Sequence, residues 1–391
     1  MDTPTALVPT PASERTAGEG LTSQAPEAAR PARASGRLPA LDGLRLLAAL
    51  SVMAFHYLGI QHNWHIWGEN PHSFAPKVHD ASLYGFLGVE FFFLISGFVI
   101  SMSSWGRTPK QFFISRIARL FPAYWFAILI SAVVIAAFPI AYWNAGDHVG
   151  LRLVIANLTM APSAMHAEMF DGVVWTLWVE ARFYLLMAGM VVIGMNYRRM
   201  LAFCGLWLVA ALVVSDTHAT VLDEFVLSQY TGVFVAGIAV YLMRRYGQNM
   251  VLWGLLGFAW MVELTCLHTR MSGRQYDDGR PLSWGIAAVL ITFGLILLLL
   301  VAIGPLGRLR WRWLTTAGVM TYPLYLLHQA LGIPMIVELR RHAHALGRTV
   351  TLAIVVVSML LLAWLVNRLV ERPASRVLKR GLTNGLAAKA D

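Results

Sequence analysis

Among the ionisable side chains inside the long apolar runs of this chain, four stand out: His56, Glu90, Glu180 and His328. Such groups are costly in a hydrocarbon setting and persist where they face protein or water and perform a function. Counted along helices at 1.5 Å per residue, they fall within about 6 to 10 Å of one edge of a ~30 Å apolar layer. Two imidazoles and two carboxylates at one depth are groups that exchange protons. They suit a general base with its orienting partners, or the proton relay of a secondary transporter or flippase.

A cationic layer lies deeper. Arg45 precedes His56 by eleven residues, which returns to within about 20° of the same helical face while rising about 16 Å. Near Arg45 in depth, Arg116 and Arg119 are spaced i, i+3 on one face of another helix. Guanidinium forks bind phosphate in bidentate fashion, so the trio suits a phosphorylated ligand.

The elements that must position these groups are transmembrane helices. Of the 391 residues, 57% are hydrophobic and 13% charged, against about 25% charged in soluble domains, and mean hydropathy is +0.59. Runs of about 20 apolar residues, the length that spans a bilayer, occur near 40–60, 83–104, 117–138, 173–195, 200–215, 225–243, 249–267, 282–304, 314–336 and 349–370. The expected fold is therefore an all-α polytopic membrane protein of about ten transmembrane helices. The stretch 151–162 is too short to cross and ends in Pro162, so it is expected to be re-entrant or interfacial. With both termini in the cytoplasm, 21 of the 31 Lys and Arg residues fall inside and eight outside, with Arg45 and Arg182 within spans. That bias follows the positive-inside rule and supports this orientation; the expected location is the plasma membrane. A crossing by 151–162 would reverse every later loop and abolish it.

Residues 1–36 are rich in Ala, Pro, Thr, Ser and Gly and read as a disordered cytoplasmic tail with no secretory signal. Residues 37–373 form the membrane domain, and 374–391 a basic cytoplasmic tail. The net charge of +10 belongs to membrane-flanking loops rather than to a nucleic-acid surface. The tract Arg308-Leu-Arg310-Trp-Arg312-Trp reads as a lipid headgroup anchor. Two cysteines, Cys204 and Cys266, exclude a disulfide framework and a thiolate zinc cluster. His62, His65, His72 and His79 follow no regular metal-ligand pattern with acidic support, so no metal is expected. No internal repeat of the transporter kind is visible.

The ordered motifs resemble a known family. They are Leu41-Asp42-Gly43-Leu44-Arg45 followed by His56, then Gly88-Val89-Glu90-Phe91-Phe92-Phe93-Leu94-Ile95-Ser96-Gly97-Phe98, then Arg116-Ile-Ala-Arg119-Leu-Phe-Pro122. Trp175-Thr176-Leu177-Trp178-Val179-Glu180, Thr321-Tyr322-Pro323-Leu324-Tyr325-Leu326-Leu327-His328 and Glu371-Arg372-Pro373 follow. From Leu38 to about Pro373 the chain resembles the acyltransferase-3 integral membrane acyltransferases. Thr176 and Thr321 stand where many relatives have Ser, and Pro323 is unusual in mid-helix.

The resemblance implies an O-acyltransferase. Its co-substrate would be cytoplasmic acyl-CoA, usually acetyl-CoA, with no permanently bound cofactor. The acceptor would be a hydroxyl of a carbohydrate or glycosylated small molecule. Family function is tied to the positions matching Arg45, His56, Arg116 and Arg119. On that basis the three arginines would hold the CoA phosphates and His56 would act as general base. Glu180 or Glu90 would orient His56, and His328 or Tyr325 would donate to the oxyanion. Ser96 is expected far from His56, which disfavours a seryl acyl-enzyme; an acyl-histidine stays open.

Overall fold

A computed structural model of the chain describes residues 38–60, 64–138, 150–169, 171–217, 220–276, 279–343 and 345–387. The expected tail at 1–36 and His62 lie outside them. Helix α1 (Pro39–Ala54) runs into a π-helical turn, Phe55–Gly59. Then come α2 (Trp64–Trp67), α3 (Pro76–Ser82), α4 (Gly88–Ser104), α5 (Pro109–Ala137), α6 (Leu151–Leu158), α7 (Val174–Ile193), α8 (Tyr197–Thr217) and α9 (Thr220–Val226). After these follow α10 (Thr231–Tyr246), α11 (Met250–Met271), α12 (Trp284–Ala302), α13 (Arg312–His342), α14 (Arg348–Val366) and α15 (Arg372–Ala387). Among the described residues, the only pairing of extended backbone outside helices is the single bridge between Gln275 and Pro281.

Nine helical segments among the described residues are long and apolar enough to cross a membrane, and the protein is an all-α multi-pass membrane protein. The remaining expected span, 314–336, is helix α13, which at 31 residues is roughly 46 Å long. Its composition is too polar to count on apolarity alone, because it carries Thr321, Tyr325, His328, Gln329 and two prolines. Those polar side chains are buried, since α13 packs against α1, α14 and α5. A helix that faces protein on most sides does not need an apolar surface for lipid. Helix α6 has eight residues, about 12 Å, and cannot cross. It is held against α5 by the Tyr124 hydroxyl on the Asn157 carbonyl and by Trp125 Nε1 donating to the Leu158 carbonyl at 3.2 Å.

The centre of the bundle is the crossing of α4 and α10. Every residue from Thr231 to Met243 is buried. The two backbones touch because neither Gly97 nor Gly237 has a side chain: a Cβ on Gly97 would overlap the Phe234 carbonyl, and one on Gly237 the Leu94 carbonyl. Close backbone approach at small residues drives helix association where lipid supplies no hydrophobic preference. By contrast α8 and α12 turn Leu206, Val213, Val289 and Phe293 outward, as a lipid-facing surface requires. The in-span Arg182 is neutralised by Glu224 of α9 and lies over the Trp178 ring. Beyond α14, the basic segment at 374–387 is part of helix α15, which packs against α5.

The α4–α10 contact makes Gly237 intolerant of a side chain. Gly237→Val should destabilise the protein by about 2 kcal/mol or more, the scale of core overpacking, seen as a lowered melting temperature and reduced monodisperse yield in detergent. Wild-type behaviour would show that the backbones can separate freely.

Candidate active site

Two chambers meet inside the bundle. The first, about 740 Å³ of open space, is lined by Arg45, Arg116, Arg119 and Glu180 together with Ser96, Tyr184 and Tyr325. Arg45 projects from the second turn of α1, 3.9 Å from Asp42 one turn earlier. Asp42 packs tightly on α13 at Gly318, where any Cβ would overlap its side chain. Arg116 is steadied by Ser115 Oγ at 3.1 and 3.2 Å and stands over the Tyr184 ring. Glu180 accepts a hydrogen bond from Ser96 at 2.7 Å. Three guanidinium groups line this chamber against one lining carboxylate, Glu180, with Asp42 beside Arg45 as a second.

The second chamber, about 780 Å³, is lined by His56, Glu90, Trp175, Tyr230, Arg270 and Arg274 among others. His56 lies in the π-helical turn, where Ile60 N–H reaches back five residues to the Phe55 carbonyl at 3.0 Å. Such turns widen a helix locally and recur at functional sites. His56 Nδ1 is 2.9 Å from the Val52 carbonyl and 3.0 Å from His328 Nε2. His328 Nδ1 in turn faces the carbonyls of Tyr325 at 2.8 Å and Leu324 at 3.2 Å.

Those partners assign the protons. Carbonyls only accept, so His328 Nδ1 carries a hydrogen, and in a singly protonated His328 the Nε2 atom is an acceptor. His56 therefore donates from Nδ1, shared between His328 and Val52. The lone pair of His56 then resides on Nε2. His328 is itself held by Tyr57, whose hydroxyl donates to the His328 carbonyl at 2.7 Å, and Trp67 Nε1 donates to the Tyr57 carbonyl at 2.8 Å.

Val89 and Tyr325 line both chambers and form the partition between them. Thr176 donates to the Val173 carbonyl at 2.9 Å and lies 2.8 Å from the Tyr325 hydroxyl, so Tyr325 donates to Thr176. The eight residues singled out from the sequence thus converge, but not in one layer. Arg45, Arg116, Arg119 and Glu180 share the first chamber; His56 and Glu90 share the second; Tyr325 divides them; and His328 lies behind His56, fully buried.

Glu180 differs most from its expected depth. It bonds to Ser96, which lies eleven residues beyond Gly85 while Glu180 lies only six beyond Val174. The two helical segments do not start level: the one containing α4 begins about five residues, or roughly 8 Å, further toward the histidine side. Glu90 is engaged elsewhere too. Its carboxylate is 3.3 Å from Arg270 Nε, and Arg270 also pairs with Glu263, donates to the Gln229 carbonyl and stands over the Tyr230 ring. Arg270, Glu263 and Arg274 did not stand out in the sequence. The available signal was an acid inside a span, Glu263, followed two helical turns later by a cation on the same face. Among the described residues no group of three or more His, Cys, Asp or Glu side chains could hold a metal.

Comparison with known proteins shows the family. The model of the acyltransferase-3 family, described as an acyltransferase domain, matches residues 38–368. The exopolysaccharide production protein ExoZ of Rhizobium meliloti is 30% identical over 330 residues, covering 78% of this chain and 95% of that protein. The putative peptidoglycan O-acetyltransferase YrhL of Bacillus subtilis is 26% identical over 175 residues, 40% of this chain and 24% of its own. The peptidoglycan O-acetyltransferase OatA of Listeria monocytogenes is 27% identical over 166 residues, 38% of this chain and 23% of its own. The chain therefore matches only about a quarter of each of those two longer proteins. No solved structure matches. With the family model covering most of its length and its motif residues gathered around two adjoining chambers, the chain belongs to the acyltransferase-3 family of membrane O-acyltransferases.

Proposed function

We propose that the protein moves an acyl group, in the usual case acetyl, from cytoplasmic acyl-CoA to a hydroxyl of a carbohydrate or glycosylated acceptor at the plasma membrane. The observation that carries this reading is the pair of chambers separated by Tyr325 and Val89, cationic on one side and with His56 on the other. Arg116 and Arg119, with Arg45, hold the CoA phosphates. The pantetheine arm extends over about the 16 Å rise from Arg45 to His56, which brings the thioester to the partition. The names of the relatives, one in exopolysaccharide production and two peptidoglycan O-acetyltransferases, favour a carbohydrate acceptor. The lysine and arginine bias favours cytoplasmic termini and an arginine chamber open to the cytoplasm.

In the reaction, His56 Nε2 takes the proton of the acceptor hydroxyl as its oxygen attacks the thioester carbonyl. The C–O bond forms, the C–S bond breaks, and the departing CoA thiolate takes the proton from the imidazolium. His328 is a positioning residue: its Nε2 already accepts from His56, so it fixes the tautomer and ring plane of His56, as a carboxylate does in a hydrolase triad. Its proton faces carbonyls, which leaves the oxyanion to Tyr325. That role requires Tyr325 to redirect its hydroxyl from Thr176 to the thioester oxygen. Glu90, held by Arg270, shapes the acceptor chamber, and Glu180 orders the arginine chamber through Ser96.

Two variant series test these assignments. His56→Ala should lower kcat by about 10²- to 10⁴-fold, the worth of a general base, while the protein remains folded in the membrane. His328→Leu should lower kcat with little change in either KM, and His328→Gln should recover part of it, because a glutamine oxygen can accept from His56 while its amide donates to the Tyr325 carbonyl. Equal loss in His328→Leu and His328→Gln would remove the tautomer argument. Separately, Arg116→Ala with Arg119→Ala should weaken acetyl-CoA binding by roughly tenfold or more, measured by calorimetry, whereas His56→Ala should bind it normally. Unchanged donor affinity in the double variant would contradict the phosphate assignment.

A further inference from the structure

The histidine chamber contains two arginines with different surroundings. Arg270 is spent within the protein: Glu90 and Glu263 both pair with it. Arg274 is different. Helix α11 ends at Met271, and Gly273, with φ of +80°, turns the chain so that Arg274 N–H bonds the Met271 carbonyl at 3.1 Å. Leu282 N–H then closes on the Arg274 carbonyl at 3.0 Å, and the bridge between Gln275 and Pro281 follows directly. The backbone of Arg274 is thus fixed at the base of a closed loop. Its guanidinium lies over the Phe86 ring at 4.0 Å and uses Nε on the Arg270 carbonyl at 3.2 Å. Among the described residues it makes no ion pair, and its side chain lines the chamber that holds His56.

The same chamber has an aromatic wall. The rings of Trp175 and Tyr230 lie 5.7 Å apart at an interplanar angle of 35°, and Trp175 keeps 36% of its surface accessible. Amphipathic aromatic faces suit the C–H face of a pyranose ring, while its hydroxyl edges reach polar groups. A half-buried guanidinium that makes no ion pair among the described residues, with the nearby Glu90 carboxylate already held by Arg270, on a fixed backbone beside such a wall, suits a bidentate acid group. We propose that this chamber takes an anionic sugar: Arg274 grips a carboxylate or phosphate carried on the ring, Trp175, backed by Tyr230, supports its face, and a hydroxyl is presented to His56. The inference rests on reading the histidine chamber as the acceptor side, and it narrows the acceptor from carbohydrates in general to acidic ones.

The test is direct binding to the full chain in detergent, by saturation-transfer NMR titration with three probes alike except at C6. These are methyl β-D-glucoside, methyl β-D-glucuronide and methyl β-D-glucoside 6-phosphate. The wild type should bind one or both charged probes about five- to thirtyfold more tightly than the neutral one. Preference for the glucuronide assigns a carboxylate to the site; preference for the 6-phosphate assigns a phosphate. The charged-to-neutral ratio should fall close to one in Arg274→Gln and largely return in Arg274→Lys, which a purely structural role stacked on Phe86 would not produce. Equal binding of charged and neutral probes by the wild type, no binding of any of them, or a ratio that survives Arg274→Gln overturns the proposal. Acetyl-CoA binding by the same wild-type sample keeps the two readings apart. If it is present while the charge preference is absent, the anionic acceptor alone falls; if it is absent too, the donor reading falls as well.

Discussion

The hydrogen bond between His56 Nδ1 and His328 Nε2, 3.0 Å long, ties the proposed general base to the bundle that positions it. It joins the end of α1 to the middle of α13, and most of the surrounding structure serves to hold those two helices in register. At one end Asp42 packs into the space left by Gly318; toward the other, Tyr57 packs into the space left by Gly332 and bonds the His328 carbonyl. Arg45 and His56 ride on the same helix, so the seating of α1 on α13 fixes both the cationic chamber and the basic nitrogen. A shift of one helix along the other by a single residue, about 1.5 Å, would break the imidazole contact and misplace the arginine together.

The opposite wall of the histidine chamber has its own constraint. Glu90 and Glu263, on α4 and α11, share Arg270. Two carboxylates around one guanidinium, all largely buried, are costly to desolvate and depend on the cation between them; removing Arg270 would leave both carboxylates buried without it, a loss on the order of 3–5 kcal/mol. The cluster holds the end of α11 where Gly273 and Arg274 follow, so an internal charge network sets the position of Arg274, which faces the chamber and makes no ion pair among the described residues. The partition at Tyr325 and Val89 separates this side from the cationic side. In the proposed reaction, a donor and an acceptor entering from opposite faces would meet there without either crossing the whole membrane.

The sequence revealed the helices well because the apolar runs are long, and it revealed the arginine chamber because Arg116 and Arg119 follow an i, i+3 rule confined to one helix. The convergence of His56 and His328 was legible as a coincidence of depth. Which partner each group takes was not. Depth counting assumes that helices start level, and α4 does not start level with α7, so Glu180 belongs with Ser96 and the arginines rather than with the histidines. Glu90 looked free to orient His56 because its partner, Arg270, is 180 residues away and sits at the end of a span, where a cation reads as ordinary flanking charge. Helix α13 is the inverse case. Its polarity weakens its signal as a span, yet that polarity is what lines the site.

The measurement that bears most directly on this account is a structure of the protein bound to a non-hydrolysable acetyl-CoA analogue. Phosphate oxygens are expected within hydrogen-bond distance of Arg116 and Arg119, the pantetheine arm along the first chamber, and the thioester carbonyl at the partition beside Tyr325. An acceptor oxygen placed between that carbonyl and His56 Nε2 should then lie about 3–3.5 Å from the carbonyl carbon. Phosphates bound away from the arginine pair, or a thioester on the far side of the bundle from His56, would contradict it.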